Sequence, residues 1–191
     1  MRILAAFWEF LKIIALAIAA AVLYGIVHDQ VTARVCVEYF TIGHEPIFHT
    51  DSPTLLAFGW GTIATWWVGL ILGVPAAWLA RVGRRPKLSA GQLMGPIARL
   101  LAVMACLALI AGVAGYLLAR DGVLVLFEPM ASRIPPEKHA AFVADAAAHS
   151  CSYAVGFLGG IVLCVWIWLR RRQLRIGLTR PPPACLAGER D

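Results

Sequence analysis

Four long apolar runs, 4–27, 54–80, 97–119 and 150–169, alternate with polar connections along this chain. Each reaches the roughly 20 residues an α-helix needs to cross the hydrocarbon core of a bilayer. The pattern predicts an all-α fold: a four-helix transmembrane bundle, formed as one membrane domain over residues 1–191. Run 97–119 carries one charge, Arg99, at its first turn, where the side chain can reach headgroups. Run 54–80 has no charge and contains Trp60, Trp66, Trp67 and Trp78. Run 150–169 also has none, ends in Trp166 and Trp168, and stops at Arg170, Arg171 and Arg172, an aromatic belt followed by a basic stop. The first run is interrupted by Glu9 and Lys12, three apart and therefore on one helix face. This places the pair near headgroups, with the helix entering the core at Ile13. A cleaved signal peptide, with Ala19 and Ala21 as its small-residue pattern, is the competing reading.

Basic residues orient the spans. Arg81, Arg84, Arg85 and Lys87 lie between spans two and three, and Arg170, Arg171, Arg172, Arg175, Arg180 and Arg190 follow span four. The other two connections hold Arg34, Arg120, Arg133 and Lys138. The positive-inside rule then predicts both termini, loop 81–96 and tail 170–191 in the cytoplasm, with loops 28–53 and 120–149 outside a bacterial inner membrane. Pro135 and Pro136 are placed to open a helix, and no breaker follows before Ser150, so the fourth helix is expected to extend outward beyond the membrane. Pro181, Pro182 and Pro183 read as a stiff, extended tail.

Composition narrows the class further. The chain is 60% hydrophobic and 15% charged, with a mean hydropathy of +0.75. That excludes a disordered chain, a collagen-like chain and a disulfide-dense secreted scaffold, and no connection is long enough to bury the core of a large soluble catalytic domain. The net charge of +6 reads as topology and contact with anionic lipid. No aromatic-interleaved basic domain offers a nucleic-acid surface. Gly69 with Gly73, and Gly156 with Gly160, form small-xxx-small pairs that pack helices within the chain or serve a homodimer or a membrane-protein partner. No ionisable residue lies mid-span in spans two to four, which counts against a channel or a proton-coupled pump.

The chemistry is one-sided. All five histidines, His28, His44, His49, His139 and His149, fall on the predicted outer side, as does every carboxylate except Glu9, Glu189 and Asp191. Asp145 and His149 are four apart on the projecting helix and so share a face. With His28 at the end of span one and Glu38 in the following loop, they form a candidate site for a divalent metal: zinc, or manganese or iron if the set is carboxylate-rich. Asp29 is expected to orient His28 from behind, and Tyr39 to donate a hydrogen bond. A hydrogen-bonded structural cluster and a pH-responsive histidine switch are the alternatives. His44, His49 and His139 are expected to stay outside the set. Cys36 and Cys151, both on the outer side, are a candidate disulfide if geometry allows.

The run His28-Asp29-Gln30, followed by Glu38-Tyr39-Phe40-Thr41, resembles an uncharacterised family of small bacterial four-span inner-membrane proteins, with a weaker echo at Tyr153 and Gly156. Cys36-Val37 stands where that family has a Ser-Pro pair. The resemblance brings no activity; it favours His28, Asp29, Glu38 and Tyr39 over other polar residues. No H-E-x-x-H, C-x-x-C, G-x-S-x-G or phosphate-cradling Gly-rich motif is present. The sequence therefore leaves three readings. One is a membrane protein binding a metal or small ligand at its outer cluster. The second is a non-catalytic accessory or assembly subunit of an envelope complex. The third is a metal-dependent membrane enzyme using the same cluster.

Overall fold

The computed structural model describes residues 2–179 and, among them, contains helices and no strand. α1 is Arg2–Val35, α2 Val37–Thr41, α3 Pro53–Ile63, α4 Trp66–Arg81, α5 Ala90–Arg120, α6 Met130–Arg133 and α7 His139–Thr179, the last preceded by a 3-10 turn at Pro136–Lys138. Leu4–Val35, Pro53–Arg81, Ala90–Arg120 and Pro136–Gly177 are each long and apolar enough to cross a membrane. They pack as a four-helix bundle. α1 lies against α3, α4 and α5, and α7 against α5 and α4. The outward faces are apolar, with Leu109, Leu158 and Val162 about two-thirds exposed. This inversion of a soluble surface is what a lipid environment requires.

One end of the bundle carries the beginning of α1, the α4–α5 connection and the last turns of α7. Glu9 accepts the amide of Ala90 at 3.3 Å, so the amino-terminal part of α1 touches the amino end of α5. Arg171, 4% exposed, folds back onto the α4–α5 connection. It donates to the carbonyls of Pro86 (2.7 Å), Val82 (2.9 Å), Arg85 (3.0 Å) and Leu79. Carbonyls at the end of α4 have no intrahelical partner, and a buried guanidinium supplies several donors at once. Sequence reading placed Arg171 in a headgroup-facing basic stop; the fold uses it as an internal clamp. Ser89 and Gln92 start α5 with a capping box. At the far end Gly122 (φ 75°) closes α5, with Val123 bonding back to the Leu118 carbonyl.

Two features depart from the sequence reading, and a third decides between its alternatives. First, span one does not stop at Val27: α1 continues to Val35, and His28 and Asp29 sit within it rather than in a loop. Val27, Val31 and Val35 face outward while Asp29, Thr32, Ala33 and Cys36 are buried, so residues 28–35 form two more turns with a polar inner face. Second, span two is two helices, with Ala64 and Thr65 between α3 and α4. Thr65 turns its hydroxyl onto the Gly61 carbonyl, and the Tyr153 hydroxyl donates to the Ala64 carbonyl at 3.1 Å. Both carbonyls are thereby satisfied inside the bundle, the condition for a break at membrane depth. Pro75 lies within the continuous α4. Third, the glycine pairs face inward. A Cβ on Gly69 would stand 2.6 Å from Ile18 Cα, one on Gly73 2.8 Å from Ala17 Cβ, and one on Gly160 2.7 Å from a Leu72 methyl. Met104 covers Gly156. Of the two uses read from these pairs, the structure shows packing within the chain.

At the far end α2 roofs the bundle. Phe40 packs on Ala33 and Leu56, while Cys36, Ile134 and Phe142 form a second cluster beside it. The fourth helix projects as expected from Pro136. The tail beyond Thr179, with Pro181–Pro183, Arg180, Cys185 and Arg190, lies outside the described residues.

Candidate metal centre

His28 and Asp29 approach the bundle interior from α1, and His149 meets them from α7. The ring of His149 is held at both nitrogens. Nδ1 lies 2.8 Å from the Asp145 carbonyl oxygen one turn back, and Nε2 lies 3.2 Å from Asp29 Oδ1. A carbonyl oxygen only accepts, so Nδ1 carries a hydrogen, while Nε2 faces the Asp29 carboxylate. His28 Nε2 is buried and has no hydrogen-bond partner among the described residues. One donor atom each from His28, Asp29 and His149 lie within 4.8 Å of one another. Aromatic rings hold both imidazoles. Tyr24 stacks on His28 at 5.7 Å, Tyr39 stacks on His149 at 4.6 Å, and the two imidazoles meet edge to face at 4.6 Å. Asp29 is 5% exposed, so water does little to disperse the charge gathered here.

A proton between Asp29 and His149 satisfies that contact and leaves the buried His28 Nε2 without a partner. One donor atom from each residue could instead hold a divalent ion. Zinc bonds of about 2.0–2.1 Å set tetrahedral neighbours roughly 3.3 Å apart, the spacing already found between His149 and Asp29. Two imidazoles and a carboxylate suit zinc, iron or manganese, and three protein ligands leave a fourth position open, as catalytic zinc sites do.

The other anticipated residues stand as follows. Glu38 lies apart from the three donors, accepting the Cys36 thiol at 3.4 Å and facing Lys138 Nζ at 3.6 Å. Asp145 contributes its backbone carbonyl to the His149 ring. Its side chain is buried with Oδ2 unpartnered, and it borders a hollow of about 580 Å³ between α1, α5 and α7 that His28 and Tyr24 also line. Asp29, expected to support His28, instead bonds His149 and lies with both imidazoles in the group that could hold a metal. Tyr39 meets the site through its ring face. Burial, then the nearby Asp145 carboxylate, pushes its hydroxyl ionisation up and keeps it neutral. Cys36 and Cys151 are separate free thiols, not a bridge. Burial, aided by Glu38, pushes the Cys36 thiol up to about 12. His44 donates Nδ1–H to the Tyr39 carbonyl at 2.8 Å and packs on Trp60, His139 bonds the Ile134 carbonyl, and His49 is exposed.

Below the three donors a cavity of about 150 Å³ runs between the helices. Tyr24 and Ser152, joined at 2.8 Å, line its upper part with Tyr153 and the α3–α4 break. Sequence reading missed these residues as a site, because hydroxyls spaced along separate apolar spans look like ordinary helix residues. Comparison with known protein families, with characterised proteins and with solved structures finds no match.

Proposed function

We propose that this chain is a multi-pass protein of a bacterial inner membrane, with both termini in the cytoplasm, whose His28, Asp29 and His149 hold a divalent metal near the outer interface. The convergence of buried Asp29 with half-buried His28 and His149, their donor atoms within 4.8 Å of one another, carries this reading. Depth agrees with it. From the basic belt at Arg170 to His149 is about 30 Å along α7 at 1.5 Å per residue, close to the thickness of the hydrocarbon core. The H-D-Q…E-Y-F-T resemblance falls on the same place, with His28 and Asp29 in the donor set and Tyr39 stacked upon it.

The open fourth coordination position, facing a cavity, favours the enzyme reading as the second choice: a bound metal would activate water there for hydrolysis. An accessory subunit lacks comparable support, since the glycine faces it would dock with are covered within the chain. The deciding measurement is metal content after chelation, reloading with zinc and gel filtration in detergent. Wild type is expected to retain about one zinc per chain and His149→Ala to retain a small fraction of that. Equal, low occupancy in both would refute the metal centre.

A further inference from the structure

The cavity under the metal centre has a shape and polarity that the three ligands do not explain. Its upper end is bounded by the donor set and by the hydroxyls of Tyr24, Ser152 and Tyr153. Its lower end is bounded by Ile13, Ala76, Leu93, Ile97 and Leu163, without a polar side chain. Along α1 the lining runs from Ile13 to Asp29, about 24 Å at 1.5 Å per residue, while the volume is only about 150 Å³. A hollow that long and that small is one chain wide. Water does not fill an apolar bore readily, and protein interiors seldom leave such space empty.

We propose that this bore holds a single-chain amphiphile, its hydrocarbon tail between α1, α4, α5 and α7 and its anionic oxygen head on the metal. The proposal rests on the metal reading. Two neutral imidazoles and one carboxylate leave a divalent ion with a net charge of +1, which the fourth position satisfies with an anionic oxygen. A fatty carboxylate or a single-chain phosphate monoester provides that oxygen. The Tyr24–Ser152 pair uses one of its two hydroxyl protons internally, and the other is left for the head's remaining acceptor oxygens. Tail length is read by the apolar end, where Ile13 and Leu93 are almost fully buried.

The test uses full-length, zinc-loaded protein in phosphatidylcholine nanodiscs and palmitate carrying a photoreactive diazirine at its tail end. Illumination is expected to label the lower bore, at Leu93, Ile97 or Leu163, and free palmitate is expected to suppress the labelling. Hexadecyl phosphate should compete as palmitate does if the phosphate source is equally accepted, while hexadecanol should compete at least tenfold more weakly. Ala20→Phe on α1 and Val68→Phe on α4 narrow the bore from opposite walls. Each should cut bore labelling at least tenfold while retaining about one zinc per chain, and that retained zinc reports a folded site. Labelling confined to lipid-facing residues such as Leu109, Leu158 and Ile161 would overturn the bore. So would labelling in zinc-retaining Ala20→Phe and Val68→Phe equal to that of wild type. Competition by hexadecanol equal to that by palmitate would overturn the anionic head. Bore labelling in a protein that binds no zinc would refute the metal centre and leave the tail site standing.

Discussion

The two nitrogens of His149 have separate tasks, and their division gives the candidate site its chemistry. Nδ1 is fixed to the Asp145 carbonyl and Nε2 faces Asp29, so the ring cannot turn away without losing both contacts. Asp29→Asn keeps the shape but removes the charge. Zinc affinity is expected to fall at least tenfold, read by competition with a chromogenic chelator. Protons compete for the same electron pairs, so acidification should release metal and raising the pH should restore it, with bound zinc measured across a pH series. Metal retention that does not change with pH would contradict imidazole ligation. Cys36 shows burial acting on a lone group: with its thiol pushed up to about 12 and the residue 1% exposed, maleimide at neutral pH should not label it in the folded protein and should do so after denaturation. Rapid labelling of native Cys36 would show that the α2 roof opens. Residue types were legible in the sequence, but their pairing was not. Asp29 joins His149 across 120 positions, and its neighbour His28 offered the nearer but incorrect partner.

At the scale of helices, close approach and carbonyl satisfaction decide the architecture. Gly69 brings α4 against the backbone of α1, and the nearest obstacle to a methyl is Ile18 Cα, which cannot swing aside. Gly69→Ala is expected to destabilise the bundle by about 1–3 kcal/mol through overpacking. Gly95→Ala on α5, where the nearest atom is the end of the Arg99 side chain at 3.9 Å, should be neutral or stabilising through helix propensity. Denaturation by sodium dodecyl sulfate, followed by circular dichroism, separates the two. Arg171→Ala removes the common partner of four carbonyls and should cost about 3 kcal/mol in the same assay, since buried acceptors lose their donors together. The runs of apolar residues announced every span. They concealed the break at Ala64–Thr65, because it depends on a hydroxyl from Tyr153 that reaches across from α7.

Taken as a whole, the described residues form a bundle with an apolar outer face, a basic cluster at one end and, at the other, the histidines and every described carboxylate except Glu9. That asymmetry yields a topology test. Green fluorescent protein fused after the tail should fluoresce and alkaline phosphatase at the same point should stay inactive, as a cytoplasmic carboxyl terminus requires; the opposite result would reverse the bundle and put the donor set on the cytoplasmic face. The sequence by itself determined the number of spans, the projecting start of the fourth helix and the gathering of imidazoles and carboxylates at the end away from the basic clusters, because these follow from the local cost of placing each residue in lipid. Only the tertiary structure decided that α1 continues to Val35, that span two is broken, and that His28, Asp29 and His149 rather than Glu38 or the Asp145 side chain point at one another. Those outcomes depend on how far each helix is rotated about its axis against its neighbours. That rotation is set by small-residue contacts such as Gly25 on Gly61 and Gly115 on Ala147, between positions far apart in the chain.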